Sequence, residues 1–365
     1  MELFEMMNKM GHEQVNFFHD SSNDLKAIVA IHNTTLGPAL GGCRMWNYAT
    51  EEEALKDVLR LSRGMTYKAA IAGLNLGGGK AVIIGDAKTQ KSERFFRSFG
   101  RFVEGLGGRY ITAEDVNTSV KDMEHVNKET DYVTGISRAL GGSGDPSPVT
   151  ARGTFVGIKA AVKERLNLDS MSGLKVAIQG CGHVGMYLAQ YLHEEGVELY
   201  VTDIEQSRVD QLVRDFGAKA VSLDEVYDLD VDVYAPCALG ATLNNDTIPR
   251  LKCSVVAGAA NNQLADPDIH AKELLKRNIL YAPDYAINAG GLINVYNELE
   301  GYNQDRAHNQ ALGIYDILMN IFKRAKAEGV PTSVASDILA EERVKAIGAL
   351  KSFYLPKKKA FSIRR

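Results

Sequence analysis

The stretch KVAIQGCGHVGMYLAQYLHEEGVELYVTDIE, residues 175–205, constrains the fold more than any other part of the chain. KVAIQ reads as a buried strand, glycines follow at positions 180, 182 and 185, an amphipathic helix comes next, and a second strand closes on Asp203. This is a βαβ unit of a doubly wound sheet. Gly180, Gly182 and Gly185 let the loop turn tightly, approach a pyrophosphate closely and present the helix N-terminus to its charge. Asp203 lies about 20 residues further on, where an acid accepts from ribose hydroxyls and repels a 2′-phosphate. The expected cofactor is NAD rather than NADP. Cys181 and His183 occupy the unspecified positions of the fingerprint and are given no redox or proton role.

A chain of 365 residues exceeds the size at which one core keeps growing, so two domains are expected. GGSGDPSPVTARG, residues 141–153, is the densest Gly/Ser/Pro run and marks the boundary. The division predicted is an α/β substrate-binding and catalytic domain over 1–140, a Rossmann-type dinucleotide domain over 141–330, and a helical tail over 331–365 that packs back on the first domain. Within the first domain an amphipathic helix precedes LKAIVAIHN, residues 25–33, a buried strand. TLGPALGGC reads as a loop. Residues 51–70 have helical periodicity with Thr50 and Glu53 as a capping box, followed by the strand AVIIGD, the helix FFRSFGRFVEGLG and the strand RYITAED.

The formal charge of −4 gives no electrostatic footprint for nucleic acid. MELFEMMNKMGHEQVNFFHD lacks the apolar core and cleavage site of a signal peptide, and no run reaches the roughly 18 apolar residues of a membrane span. Cysteines at 43, 181, 237 and 253 lack CxxC spacing and histidine companions, which argues against a metal site and for reduced thiols in a cytoplasmic protein. The basic end KKKAFSIRR reads as a solvated terminus.

GLNLGGGKAVIIGD, residues 73–86, looks at first like a phosphate loop. A Walker A motif needs glycine at position 74 and a hydroxyl at 81; Leu74 and Ala81 stand there, so Lys80 requires other chemistry. Lys68, in RGMTYK, also sits among small and apolar residues, and Asp115 closes RYITAED beside Glu114. Such neighbours desolvate a lysine and favour its neutral amine, the form a general base needs. In YAPCALGATLN, residues 234–244, and VVAGAANNQL, residues 255–264, strand ends run into small and amide residues at the crevice where a nicotinamide would lie. Asn261 and Asn262 have the chemistry to bond its carboxamide or a substrate, and equally the tolerance of left-handed backbone that a turn needs.

TTLGPALGG with RMW, RGMTYK, GLNLGGGK, GRYITAEDV, TDYVTG, PSPVT, the glycine fingerprint, YAPCALGA, AGAANNQL and PDYAINAGGLINV occur in order along nearly the whole chain. By these motifs it resembles the family of glutamate, leucine, valine and phenylalanine dehydrogenases, and is most similar to its leucine-specific branch. The resemblance implies NAD-dependent, reversible oxidative deamination of an L-amino acid to a 2-oxo acid and ammonia, in a cleft between the two domains of a cytoplasmic homo-oligomer, an octamer. It implies that Lys68 binds the substrate carboxylate, Lys80 activates the attacking water and Asp115 exchanges protons with the amino group, while the glycines before Lys80 bring a loop backbone close to substrate. Leu40, Gly41, Ala113, Leu292 and Val295 would surround the substrate side chain, with Asn262 also on the substrate. Thr150, Cys237, Ala238 and Asn261 would join the glycines and Asp203 on the cofactor. An uncharged lining implies branched-chain aliphatic substrates; the alternatives are phenylalanine, or a non-catalytic NAD-responsive binding protein. Cys43 and Leu292 depart from the family pattern, where a hydroxyl residue and a smaller valine are more usual.

Overall fold

A computed structural model describes residues 3–350, so the basic end KKKAFSIRR lies outside the described residues. The chain forms two compact units. The first runs to Asp145 and adds Val295–Gln304 and the chain from Ala340; the second is Pro146–Asn294 with Asp305–Leu339.

In the first unit the order is α1 (Leu3–Met10), β1 (Gln14–Asp20), β2 (Leu25–Asn33), β3 (Ala39–Trp46), α2 (Glu51–Ile71), β4 (Gly77–Ile84), α3 (Glu93–Glu104), β5 (Tyr110–Glu114) and α4 (Val120–Asn127). The sheet order is β1-β2-β4-β3-β5. β2 is antiparallel to β1 and β4, whereas β3 runs parallel to β4 and β5. Side chains alternate across it as the strand period of two requires. Ala27, Val29, Ile31, Ala81 and Ile83 pack against Phe95, Phe96 and Phe99 of α3 and Val126 of α4. Ile28, Ala30 and Val82 face Met6 of α1 and Val58 and Leu59 of α2. Each fully buried phenylalanine contributes roughly 1.5–3 kcal/mol relative to an exposed one. Thr50 caps α2 by accepting from Glu53 N at 3.1 Å. Glu53 reaches back to Ala49 N at 3.0 Å, one residue short of a reciprocal capping box.

The expected opening helix is α1, while β1 after it had no expectation. Two expectations for this unit need correction. TLGPALGGC is loop only over its first four residues, because β3 begins at Ala39 and takes in the rest. Nor do the glycines before Lys80 form a loop: Gly77, Gly78 and Gly79 are the first residues of β4 and none has positive φ. They are glycines because neighbours occupy the space of a Cβ. At Gly78 it would lie 2.1 Å from Thr66 N, and at Gly77 2.0 Å from Asn33 O.

The second unit contains α5 (Ser147–Leu166), β6 (Lys175–Gln179), α6 (His183–Glu194), β7 (Glu198–Thr202), α7 (Gln206–Phe216), β8 (Lys219–Ala220), β9 (Val233–Pro236), β10 (Val255–Val256), α8 (Pro267–Lys276), β11 (Leu280–Tyr281) and α9 (Asp284–Ile287). Then come α10 (Gly290–Leu299), α11 (Gln304–Leu312), α12 (Ile314–Glu328) and α13 (Thr332–Gly348). Its sheet, β11-β10-β9-β6-β7-β8, is parallel throughout. From β6 the chain builds outward first through β7 and β8, then on the other side through β9, so the switch point lies at the ends of β6 and β9. The observed division differs from the expected one at 140, 330 and within 141–330. α10 and α13 are continuous helices whose residues are shared between the units, and a continuous helix carries no Gly/Pro signal at the handover. Among the described residues no helix is long and apolar enough to cross a membrane, and no cluster of metal-ligating side chains occurs.

Candidate functional site

In the first unit the chemistry gathers where β3, β4 and β5 lie side by side. Lys80, in the middle of β4, alternates with the core residues Ala81 and Ile83 and therefore points to the α2 side of the sheet. It is 5% exposed, and its Nζ lies 2.9 Å from Asp115 Oδ2. Asp115 is the first residue beyond β5. Gly42 makes room for it, since a Cβ there would stand 2.8 Å from Asp115 Cβ. The same Oδ2 accepts from Arg44 Nε at 3.1 Å, so the closest approach of both cations is to this one oxygen. Burial raises the Asp115 carboxyl, but the charges of Lys80 and then Arg44, with their hydrogen bonds, outweigh it and hold the group below its ordinary value.

The other candidates in this unit lie on β3, β5, α2 and α10. Leu40 and Gly41 are buried in β3, where Leu40 pairs with Gly78 and Gly42 with Ala113 of β5. Lys68 is half-buried in the last turn of α2, two residues beyond the Thr66–Gly78 backbone contact. Val295 is half-buried. Asn262 and Leu292 belong to the second unit.

In the second unit the glycine turn has three distinct environments. Gly180 has φ +107°, and a Cβ there would meet Ala238 at 2.7 Å, so the turn abuts the segment Cys237–Ala238 after β9. At Gly185 a Cβ would lie 2.1 Å from Gly180 O. Gly182 has open space about it and begins α6 without a side-chain cap, the arrangement in which a helix N-terminus can face an anion. Asp203 Oδ2 accepts from Cys181 N at 2.6 Å and Oδ1 from Glu205 N at 2.8 Å. A carboxylate has about four acceptor sites, so two remain for ribose hydroxyls. Beside it a cavity of about 450 Å³ is lined by Ile204, Val209, Val221 and Leu223 among others. Ile204 is 84% exposed there, an apolar surface suited to a base. The residues thus fit a dinucleotide. Thr150 donates to Pro146 O at 2.9 Å, and Asn261 Oδ1 accepts from Asn288 Nδ2 at 2.7 Å. Asn262 is left-handed at φ +51°, the backbone role its sequence position allowed. Cys181 is buried and donates its thiol to Thr202 O at 3.6 Å.

Arg44 and Ile204 were absent from the sequence candidates. An arginine in the otherwise apolar strand ALGGCRMW is a legible signal, because a charge there needs a buried partner. Ile204 directly follows Asp203 and had no signal of its own.

Comparison with known proteins gives the family. Residues 12–132 match the family described as Glu/Leu/Phe/Val dehydrogenase, dimerisation domain, and residues 141–207 and 198–348 match Glutamate/Leucine/Phenylalanine/Valine dehydrogenase. The chain is 55% identical over 355 residues to a leucine dehydrogenase of Thermoactinomyces intermedius, covering 97% of each chain. It is 52% identical over 344 residues to an L-tryptophan dehydrogenase of Nostoc punctiforme, covering 94% of this chain and 96% of the other. The crystal structure of an L-tryptophan dehydrogenase from Nostoc punctiforme superposes with a TM-score of 0.85 at 50% identity, over 94% of this chain and 99% of that one. The chain therefore belongs to the glutamate/leucine/phenylalanine/valine dehydrogenase family, two-domain dehydrogenases that bind a dinucleotide.

Proposed function

We propose that this protein catalyses the reversible, NAD-dependent oxidative deamination of branched-chain aliphatic L-amino acids, leucine with isoleucine and valine, to 2-oxo acids and ammonia. The observation that carries the reading is the Lys80–Asp115 pair, 2.9 Å apart with the lysine buried, in a chain of this family. Bound NAD supplies the hydride acceptor for the substrate α-carbon. Lys68 holds the substrate carboxylate as a cation. Asp115 takes a proton from the substrate amino group through Oδ1. Lys80, once it has given up its own proton, removes one from the water that attacks the imine carbon. Asp115 then protonates the carbinolamine nitrogen, the C–N bond breaks as the hydroxyl releases its proton to solvent, and ammonia and the 2-oxo acid are formed.

Leu40, Gly41, Ala113 and Val295 offer no charge or hydrogen-bonding terminus to a substrate side chain, and an unpaired buried carboxylate would cost several kcal/mol. Glutamate is thereby disfavoured. Leucine, isoleucine and valine differ by only about 1–3 kcal/mol per methylene, so the preference is broad. Asp203 favours NAD over NADP, with Gly180, Gly182, Gly185, Thr150, Cys237, Ala238 and Asn261 on the cofactor and Asn262 on the substrate. Family resemblance supports a cytoplasmic homo-oligomer, an octamer, which sedimentation would test. The rival reading is an aromatic L-amino acid, favoured by the tryptophan dehydrogenase similarity. NADH formation across a panel of L-amino acids decides between them. The highest kcat/KM is expected on the branched-chain substrates. Preference for phenylalanine or tryptophan would move the assignment to the aromatic branch, and no turnover on any would leave dinucleotide binding without catalysis.

A further inference from the structure

Asp115 is the inner link of a longer chain of charges. Arg44 bridges two carboxylates: its Nε donates to Asp115 Oδ2 at 3.1 Å and its Nη1 to Asp57 Oδ2 at 3.0 Å. Asp57, on α2, is held in turn by the Tyr48 hydroxyl at 2.7 Å and Arg60 at 3.0 Å. Opposite charges therefore alternate from buried Lys80 through Asp115, Arg44 and Asp57 to Arg60, whose side chain is 54% exposed. Asp57 holds Nη1, so Arg44 meets Asp115 with Nε, and Lys80 and Arg44 make their closest approach to the same oxygen, Oδ2.

We infer that Arg44, anchored by Asp57, is a positioning residue that fixes the Asp115 carboxylate by one oxygen and leaves the other aimed at the substrate amino group. The inference rests on the proposed proton-transfer role of Asp115. Arg44 acts in two separable ways: its charge keeps Asp115 ionised, and its two-carboxylate grip sets the orientation. The other titratable groups in the field of Asp115 are Cys43 on the same strand as Arg44, Tyr48, Tyr110 and Glu114 of β5, besides Lys80 and Asp57. Burial pushes Cys43, Tyr48 and Tyr110 upward and leaves them protonated in the acid range. Glu114, also raised by burial and then by Asp145, is the group that must be separated from Asp115.

The experiment is a set of kcat and kcat/KM pH profiles on the full-length enzyme, with NADH binding measured by fluorescence titration as the check on folding. Arg44→Met should lose roughly 100-fold in kcat, the scale of a misplaced reacting group, and move the acid limb to higher pH, since a carboxylate with one cation fewer protonates more readily. Arg44→Lys should return the acid limb to its wild-type position and recover kcat only in part, because a point charge cannot grip both carboxylates. Asp57→Asn should lower kcat while leaving the acid limb below that of Arg44→Met. Glu114→Gln should leave the limb in place. If Arg44→Met and Arg44→Lys both bind NADH and keep wild-type kcat and acid limb, or if Glu114→Gln abolishes the limb, the inference is wrong. Asp115→Asn separates the two levels: a normally active Asp115→Asn overturns the catalytic reading itself, whereas an inactive one beside a fully active Arg44→Met overturns only the role of Arg44.

Discussion

The two units each carry a conspicuous glycine run, and the runs solve opposite problems. GGGK in the first unit is extended backbone in the middle of a sheet, with no positive φ, where glycine is demanded by crowding from Asn33, Thr66 and Tyr110. GCGHVG in the second is a turn, with one positive φ at Gly180, one tight helix contact at Gly185 and one open position at Gly182. The first run makes a place where a lysine is buried against a carboxylate. The second makes an empty space in front of a helix terminus. Glycine in a sequence therefore reports that a side chain is forbidden, and only the surroundings say whether protein or ligand forbids it.

The largest expected effect separates the chemistry of the two runs. Lys80→Ala should reduce turnover by roughly 10²–10⁴-fold, the usual contribution of a positioned acid–base group, while NADH affinity stays within about twofold, since no glycine of the second run is altered. Steady-state rates and fluorescence titration on one preparation test both halves. A Lys80→Ala enzyme with near-normal kcat would leave β4 holding a structural ion pair.

Stability should distinguish the runs as sharply. Gly78→Ala puts a methyl group 2.1 Å from the backbone nitrogen of Thr66, which cannot yield as a side chain would, so a loss of about 3 kcal/mol, the upper part of the overpacking range, is expected. Gly182→Ala meets nothing within 4 Å at an ordinary φ of −70°. It should unfold like the wild type in urea and yet bind NAD more weakly, because the added methyl occupies the approach of the pyrophosphate. Equal denaturation midpoints for the two variants would erase the distinction between crowded and open glycines.

Much of this architecture was legible because it is local. The strand, turn, helix, strand and acid of residues 175–203 are consecutive, and each part signals itself within a few residues. Lys68, Lys80 and Asp115 stood out as charges among small and β-branched neighbours. What was not legible depends on distant partners. GGGK resembled a loop because the atoms that exclude its Cβ groups belong to residues around 33, 66 and 110. Arg44 escaped notice because its carboxylates lie at 57 and 115, on two other elements. The handovers inside α10 and α13 left no mark, since helix periodicity continues across them.

Acid should affect the first unit before the second. His12 Nε2 lies 2.9 Å from Ser62 Oγ and 3.1 Å from Leu59 O; His32 bonds Thr66 Oγ1 at 2.8 Å and Met10 O at 2.9 Å. The rings meet edge-on at 4.8 Å, with Tyr67 and Arg63 nearby. Burial lowers both histidines; His32 falls to about 4, with repulsion from His12 and Arg63 adding to it. A histidine held neutral stabilises the fold fully above its unfolded value of 6.5, and the contribution is lost as pH falls from there toward 4. For His32 the loss is about 2 kcal/mol by pH 5. Hydrogen exchange should accelerate in α2 and the segment around Gly11 between pH 7 and 5, after correction for intrinsic rates, while β6 and β7 change little. His32→Gln should flatten that dependence. Uniform acceleration in both units would remove the histidine pair as its cause.

The smallest expected effect concerns the acid beside the second glycine run. Asp203 does two things at once: it ties Cys181 N and Glu205 N with its two oxygens, and it keeps acceptor sites for a ribose. Arg208 Nη1 stands 4.0 Å from Oδ1, so removing the carboxylate takes a repulsive charge away from a 2′-phosphate and releases a cation in the same step. Asp203→Ser should narrow the ratio of kcat/KM for NAD over NADP by roughly tenfold, about 1.4 kcal/mol. Part of that change should come from a higher KM for NAD, because the glycine turn loses the bond at Cys181 N. Adding Arg208→Ala should restore discrimination against NADP without recovering affinity for NAD. A wild-type enzyme that already used both cofactors equally would show that Asp203 serves the turn alone, and the second run would then resemble the first, its glycines and its acid answering to the protein rather than to the ligand.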